Sequence, residues 1–371
     1  MTLLARLRRT WLDVHLWIGA GLLVVMVPLG VTGSVLVWHD QLDRALEAHR
    51  YAVSGPAASR NVKDYAQAAE QAFAGRARLT QIRLPEAAGD PVVAVGRMAG
   101  PGSPSGRPRT LNAWIDPPSG RVLDVAEIAK GPMMVLHRLH GSLMIPQVGR
   151  KVVGWLGWAM FASCATGLWL WWPRGGAVLK GLRWRRGDSM LFNLHHTVGF
   201  WVCVPLAVLS LTGVYTSFPQ TSRALFGIEA PPRAAGPGRF APPLENPRMT
   251  FGDAAAAAQA LASGEVREIN APTRGERPAW RIVLQASGEA PSRTIRVADE
   301  TGEAAIDSGA RSARGGDPVS RLMRQVHDGT GTGLVWRAVI TLAGIAPAVL
   351  GLSGLVMWLR RRARRARLAA A

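Results

Sequence analysis

The chain has 371 residues, 48% of them hydrophobic, and carries a formal net charge of +19. In a soluble protein that charge would suggest nucleic-acid binding. Here the basic residues lie beside long apolar runs, so membrane topology explains them and we expect no nucleic-acid partner.

Four runs contain no Asp, Glu, Lys or Arg, and each is 21 to 23 residues long. A helix needs about 20 apolar residues to cross the hydrocarbon core of a bilayer. The runs therefore predict four transmembrane helices in contact with lipid. They are Leu16–Trp38, Val152–Trp172, Thr197–Phe218 and Ala338–Leu359.

Basic residues cluster in three segments that fall on one side of the membrane when the four helices are threaded. The positive-inside rule makes that side cytoplasmic. We therefore expect a multi-pass protein of the bacterial inner membrane with both termini inside and the segments 39–151 and 219–337 outside. The clusters are Arg6, Arg8 and Arg9; Arg174, Lys180, Arg183, Arg185 and Arg186; and Arg360, Arg361, Arg362, Arg364, Arg365 and Arg367.

The sequence repeats itself. Aligning His15 with His195, an offset of 180, also matches Gly19 with Gly199 and Thr32-Gly33 with Thr212-Gly213. Aligning His140 with His327, an offset of 187, also matches Arg150 with Arg337, Gly167 with Gly354 and Trp171 with Trp358. Each run contains Thr-Gly or Ser-Gly, small residues that let helices approach closely in lipid. The repeat predicts two parallel copies of one unit, related by an axis along the membrane normal.

The outer segments share a second pattern, in which a helix is followed by short strands and a turn. The helices are expected at Val62–Phe73 and Thr250–Leu261, and the turns at Asp116–Gly120 and Asp299–Gly302. The predicted fold class is a four-helix transmembrane bundle with two periplasmic α+β domains, in the order helix–domain–helix, repeated once.

The expected segments follow in chain order. They are 1–38 (terminus and first helix), 39–130 (first outer domain), 131–173 (histidine segment and second helix), 174–194 (basic loop), 195–218 (third helix), 219–320 (second outer domain), 321–359 (histidine segment and fourth helix) and 360–371 (basic tail).

The repeat selects four of the eight histidines, His15 with His195 and His140 with His327. The threading puts the first pair near the cytoplasmic face and the second near the outer face. Two neutral imidazoles on facing helices can ligate haem iron, and intramembrane ionisable residues are often functional. Because no Cys-x-x-Cys-His is present, two haem groups would be non-covalent and b-type. The alternative is that these histidines cap helix ends or hydrogen-bond at the interface.

Three further histidines leave the ligand assignment open. His137 is spaced three residues from His140 and could share its helix face, and His196 adjoins His195. Either could compete as the ligand, and His39 and His137 could instead handle protons or metal at the outer surface. No Walker loop, dinucleotide fingerprint, zinc-protease motif or nucleophile elbow accompanies them.

At these residues the chain resembles the PepSY-associated transmembrane family, and within it the iron-regulated ferrisiderophore reductases of the inner membrane. The resemblance is carried by motifs at the start or end of each apolar run and by the turn at Asp116. They are His15-Leu-Trp-Ile-Gly19, Leu139-His140, Gly149-Arg150, Leu170-Trp-Trp-Pro-Arg174, Leu194-His195, Val326-His327-Asp-Gly329, Trp336-Arg337 and Asp116-Pro-Pro-Ser-Gly120.

The resemblance implies a ferric-chelate reductase, an oxidoreductase with two haems ligated by His15, His195, His140 and His327. Electrons from a quinol or a cytoplasmic reductase would reach a ferric siderophore or other ferric chelate in the periplasm and release Fe(II). Two alternatives remain open at this point. One is a non-enzymatic PepSY protein that binds or regulates a periplasmic partner, and the other is a siderophore or metal permease.

Overall fold

A computed structural model describes residues 3–55, 60–100, 102, 108–172, 187, 189–228, 241–285, 292–307 and 317–370. The basic side chains of the expected loop 174–194 lie outside these ranges, as do parts of the expected linkers. Within the described residues the chain forms two compact units. The first comprises Met1–His39, Leu136–Glu229 and Pro318–Ala371, and the second comprises Asp40–Val135 and Ala230–Asp317.

The helices and strands are numbered here in chain order. The helices are α1 (Leu3–Leu36), α2 (His39–Leu46), α3 (Val62–Phe73), α4 (Pro132–Ser142), α5 (Gly149–Trp171), α6 (Met190–Ser217), α7 (Pro219–Leu225), α8 (Phe251–Leu261), α9 (Pro318–Asp328) and α10 (Leu334–Ala370). The strands are β1 (Ala77–Arg83), β2 (Val92–Met98), β3 (Thr110–Ile115), β4 (Val122–Ala126), β5 (Glu265–Asn270), β6 (Ala279–Gln285), β7 (Arg293–Ala298) and β8 (Ala304–Ile306).

The four predicted apolar helices are confirmed as α1, α5, α6 and α10, which form the core of the first unit. The shortest, α5, has 23 residues and is about 35 Å long at 1.5 Å per residue, enough to cross a bilayer. Large apolar side chains such as Trp17, Val24 and Trp201 stay exposed on the outside of this unit, as lipid-facing side chains do.

The four long helices pack in a ring, α1 on α5, α5 on α6, α6 on α10, and α10 back on α1. Glycines set the closest approaches. A Cβ on Gly344 would lie 2.7 Å from the carbonyl oxygen of Gly30, and one on Gly157 would lie 3.3 Å from that of Ser210. These two contacts are related by the repeat offsets of 180 and 187, so the two halves of the bundle are joined by equivalent crossings.

Two short helices, α4 and α9, precede α5 and α10 in the chain. Helix α4 ends where Leu143 and Met144 take left-handed φ values of 51° and 60°, and α9 ends at Gly329, with φ of 77°. Such residues stop a helix and reverse the chain. The reversals return His140 and His327 toward the bundle, although their helices were not predicted as separate elements.

The second unit contains one antiparallel sheet in the order β4-β3-β2-β1-β5-β6-β7-β8. Its halves meet where β1 pairs with β5, with Ile82 opposite Ile269 and a hydrogen bond of 2.9 Å from Gln81 to Asn270. Since Ile82 and Ile269 are equivalent at the offset of 187, the repeat axis passes between them, as in an isologous interface.

This sheet corrects the expectation of two separate outer domains. Helices α3 and α8 follow the predicted ranges closely, but their buried side chains join a single hydrophobic core that includes Tyr65, Phe251, Ile82 and Ile269. Each half alone would leave β1 or β5 as an open edge, which invites further strand pairing. Edge-to-edge pairing closes both edges, and the sequence offers no local signal for it.

The predicted turns of the second unit are each anchored by a buried aspartate. Asp116 accepts hydrogen bonds from the backbone and hydroxyl of Ser54, at 2.7 and 2.6 Å. Asp299 accepts from the backbone of Arg248 at 2.9 Å and from Trp280 Nε1 at 2.8 Å. Each carboxylate thus ties the turn to the segment that leads into the helix of its own half.

Candidate functional site

The structure brings together two pairs of histidines inside the helical unit. The rings of His15 and His195 have centroids 6.5 Å apart, and those of His140 and His327 have centroids 6.1 Å apart. Helices α1 and α6 stand on opposite corners of the ring of helices, so the first pair faces across the middle of the bundle. We call His15–His195 the terminal-end pair, because α1 begins and α10 ends at that end of the bundle, and His140–His327 the opposite-end pair.

The remaining predicted candidates lie elsewhere. His137 is exposed on α4. His39 is also exposed, and its Nδ1 lies 3.0 Å from the carbonyl oxygen of Leu36. His196 stacks on Phe192, with ring centroids 5.4 Å apart, and on Trp171, at 5.9 Å. None of the three faces another imidazole among the ring contacts of the described residues.

Each histidine of the terminal-end pair is held by a hydroxyl on a neighbouring helix. Nδ1 of His15 lies 3.0 Å from Oγ1 of Thr166 on α5, and Nδ1 of His195 lies 3.0 Å from Oγ of Ser353 on α10. Both hydroxyls already donate to carbonyl oxygens of their own helix turns, at 2.8 and 2.7 Å. They are therefore acceptors for the imidazoles, and the ring proton lies on Nδ1.

The opposite-end pair uses the same arrangement, and a backbone carbonyl oxygen also lies beside each Nδ1. Nδ1 of His140 lies 2.9 Å from the carbonyl oxygen of Leu29 and 3.5 Å from Oγ1 of Thr32. Nδ1 of His327 lies 3.1 Å from the carbonyl oxygen of Leu209 and 3.0 Å from Oγ1 of Thr212. A carbonyl oxygen only accepts hydrogen bonds, so these contacts also require the proton on Nδ1.

The consequence is the same for all four rings. Every hydrogen bond they make within the described ranges goes through Nδ1, which leaves Nε2 with its lone pair. A metal-ligating histidine ordinarily has this form, with its second nitrogen donating to an oxygen that fixes the tautomer and orients the ring.

Burial keeps the opposite-end pair neutral. It lowers the pKa of His140, and it lowers the pKa of His327 to about 4, with nearby His140 as a further cause. Both groups lie outside the four long helices, on α4 and α9. A neutral imidazole is the form that binds a metal, so these two rings are ready ligands at physiological pH.

The spacing within each pair fits two imidazoles that would share one metal ion. An imidazole nitrogen sits about 2 Å from a first-row metal ion, so two facing imidazoles that held one iron would have centroids about 6 Å apart. The distances of 6.5 and 6.1 Å meet that requirement. In the described part of the chain, no group of three or more His, Cys, Asp or Glu could hold a bare metal ion. The two imidazoles of each pair would suit a metal that a macrocycle such as haem already holds.

A packed apolar core lies between the two pairs along the bundle. It is built from Leu22, Met160, Cys164, Cys203 and Leu206, all buried. The two cysteines are free and act as small fillers, as their positions in the apolar runs predict. On α6, Thr212 follows His195 by 17 residues (212 minus 195), so the two levels are about 25 Å apart along the helix.

The Thr-Gly and Ser-Gly dipeptides were expected only as helix-packing residues, whereas the structure sets each hydroxyl against a histidine. The available signal was their presence in all four runs, at matching places in the repeat. The partner of each dipeptide was not legible, because it lies more than 100 residues away in the chain.

These features define a multi-pass α-helical membrane protein with an α+β insert and paired histidines at both ends of its bundle. The chain belongs to the PepSY-associated TM region family, which it matches over residues 12–361. It is also 27% identical over 257 residues to an uncharacterized protein of Pseudomonas aeruginosa. That similarity covers 62% of this chain and 64% of the length of the Pseudomonas protein.

Proposed function

We propose that this protein carries electrons across the bacterial inner membrane through two b-type haems and reduces a ferric siderophore in the periplasm. The observation that carries the proposal is the pair of imidazoles at each end of the bundle, each with its proton held on Nδ1. When bound, the haems would supply one-electron redox chemistry at both ends.

The chain's own residues would hold iron through Nε2 of His15 and His195 at the terminal end, and of His140 and His327 at the opposite end. Each Nδ1–H bond to oxygen orients its ring and increases the electron donation of the other nitrogen. His137, His39 and His196 take no part in ligation in this proposal, because the ring contacts pair the other four.

The apolar core between the two levels supports electron transfer over transport. Leu22, Met160 and Leu206 close the space between the pairs, and carboxylates are absent from the four apolar runs. An iron ion or a chelate that crossed this layer would lose its hydration shell, and a water molecule would lose its hydrogen bonds. The apolar side chains offer no polar group to replace either. An electron needs no such path, so the packing favours a reductase over a permease.

The direction of the proposed electron transfer follows from where the basic residues lie in the chain. Arg6, Arg8 and Arg9 at the start of α1, and the arginine-rich end of α10, belong to the terminal end. The positive-inside rule assigns that end to the cytoplasm. The insert containing the eight-stranded sheet would then be periplasmic, and the opposite-end pair would be the electron exit. A quinol or a cytoplasmic reductase would be the donor.

The acceptor is a ferric chelate because reduction of Fe(III) to Fe(II) takes one electron, which a single haem can deliver, and because the family resemblance leads to siderophore reductases. Siderophores hold Fe(III) with hard oxygen ligands and bind Fe(II) more weakly. Reduction would therefore release the metal on the periplasmic side.

The proposal is tested with haem-loaded protein in detergent, reduced with dithionite and freed of excess reductant. Mixing with a ferric hydroxamate or catecholate chelate should reoxidise the protein and produce Fe(II), trapped by a coloured ferrous chelator. His140→Ala should abolish fast reoxidation, while the matched His137→Ala variant should retain it. Reduced protein that stays reduced in the presence of every chelate would rule out the reductase. Uptake of the chelate into proteoliposomes without reductant would favour a permease instead.

A further inference from the structure

One local arrangement occurs four times in the helical unit, and the family match does not assign it a role. In each case a Thr or Ser hydroxyl faces Nδ1 of a histidine from another helix, and the glycine that follows faces the Cε1 edge of the same ring. The four sets are Thr166-Gly167 with His15, Ser353-Gly354 with His195, Thr32-Gly33 with His140, and Thr212-Gly213 with His327.

We propose that each Thr/Ser-Gly dipeptide is a histidine cradle, in which the hydroxyl positions the imidazole and increases electron donation from its Nε2 to iron, while the glycine makes room for the ring. This inference rests on the proposed function, since it assigns the cradle a task only where the histidines bind haem. Thr32, Thr166, Thr212 and Ser353 are positioning residues in this proposal, because they act through the ligand.

The hydroxyls are suited to this task because each already donates its own proton to a backbone carbonyl oxygen. Oγ1 of Thr166 donates to the carbonyl oxygen of Ala162 at 2.8 Å, and Oγ1 of Thr212 donates to that of Val208 at 2.9 Å. Each oxygen is thus left with its lone pairs directed at the ring. An imidazole that donates through Nδ1 is a stronger electron donor at Nε2 and stabilises ferric iron over ferrous iron.

The glycines differ from those that join helices. A Cβ on Gly33 would lie 2.7 Å from Cε1 of His140, and one on Gly167 would lie 3.0 Å from Cε1 of His15. The corresponding distances are 3.1 Å at Gly213 and 3.4 Å at Gly354. For all four, the nearest atom of a neighbouring residue belongs to a histidine ring. At Gly33, Gly167 and Gly213 a methyl group would crowd that ring, whereas at Gly354 it would make ordinary contact.

The first test compares Thr166→Val with Thr166→Ser in the full-length, haem-loaded protein. Valine keeps the shape of threonine without the acceptor, and serine restores the acceptor. The expected result for Thr166→Val is an upward shift in the midpoint potential of one haem, with the other unchanged, and near-complete recovery in Thr166→Ser. Loss of one haem in Thr166→Val, recovered in Thr166→Ser, supports the cradle equally. Unchanged potentials and haem content in Thr166→Val would refute it.

The second test uses the differences in distance between a Cβ built on each glycine and the histidine ring it faces. It needs no measurement of a redox potential. Gly33→Ala should displace His140 and reduce haem content from two to one, because its Cβ would lie too close to the ring. Gly354→Ala should retain both haems, since 3.4 Å is ordinary contact. Gly19→Ala is the matched control, with nothing within 4 Å of its Cβ. Two haems with wild-type spectra in Gly33→Ala would contradict the cradle. Wild-type protein without haem would instead refute the proposed function on which the cradle rests.

Discussion

Gly30 and Gly344 bring the backbones of α1 and α10 into contact, so that a Cβ on Gly30 would lie 2.1 Å from the carbonyl oxygen of Gly344. The small side chain of Ser34 lies beside Gly344 at this point. Ser34 reinforces the crossing by donating to the carbonyl oxygen of Thr341 at 2.8 Å. The contact joins the first and last long helices, and thereby closes the ring that holds the histidines.

The substitution Gly30→Ala should therefore destabilise the bundle. Backbone must move to admit the methyl group, and overpacking of this kind costs about 1–3 kcal/mol or more. We expect a lower midpoint temperature of thermal unfolding in detergent, measured by tryptophan fluorescence. Gly21→Ala is the matched control on the same helix, since nothing lies within 4 Å of its Cβ. Equal stability of the two variants would show that α1 and α10 are not in backbone contact.

His196 and His195 are neighbours in sequence but should behave differently. His196 stacks on Phe192 and Trp171, whereas His195 faces His15. We expect His196→Phe to keep both haems, because an aromatic ring preserves the stacking, and His195→Ala to lose one. The pyridine haemochrome content per protein measures both. A one-haem product from His196→Phe, with two haems in His195→Ala, would reverse the ligand assignment.

The two pairs differ in the angle between their rings, and this difference predicts two distinct ferric haem signals. The planes of His15 and His195 are 87° apart, while those of His140 and His327 are 44° apart. Perpendicular axial imidazoles give ferric haem a strongly anisotropic low-spin spectrum with a single prominent low-field feature, and smaller angles give a more rhombic one. Electron paramagnetic resonance of the oxidised protein should resolve both. His15→Ala should remove the strongly anisotropic signal alone, and its persistence there would contradict the assigned angles.

Asp116 should contribute to the stability of the sheet-containing unit. It is buried, and although burial alone would raise its pKa, the hydrogen bonds from Ser119 and Ser54 outweigh that effect and lower the pKa. The ionised form is thus favoured in the folded state. Its contribution is present above the ordinary aspartate pKa and is lost as pH falls through the depressed value.

We expect Asp116→Asn to speed hydrogen exchange in the 108–126 segment at pH 7, because charged hydrogen bonds contribute about 1.5–3 kcal/mol each. The difference from wild type should narrow as the pH approaches 3. Asp64→Asn removes the same charge from an exposed position on α3 and serves as the control. Exchange that matches wild type in Asp116→Asn at pH 7 would contradict the anchoring role.

Much of this architecture could be predicted from local sequence. The four apolar runs are too long and too free of charge to be anything but membrane helices, and Val62–Phe73 was predicted to the residue. Short strands were also expected after each of the two helices α3 and α8, and the structure has β1–β4 after α3 and β5–β8 after α8. The short β8 was not predicted, since three residues carry too little pattern to recognise.

The features that could not be predicted from the sequence are contacts between residues far apart in the chain. The pairing of β1 with β5 joins segments about 187 residues apart, and nothing in either strand indicates its partner. The repeat suggested that His140 and His327 belong together, but the ring contact depends on the chain reversals after α4 and α9. The same holds for Thr212 and Ser353, whose contacts with His327 and His195 depend on helix packing.

The most direct test is the haem content of purified protein expressed with adequate haem supply. We predict a Soret band, a sharp α-band on reduction and two haems per chain in the pyridine haemochrome assay. One haem should remain in His140→Ala and in His327→Ala, and both in His137→Ala. A wild-type chain that folds, keeps its native size in detergent and binds no haem would contradict the central claim.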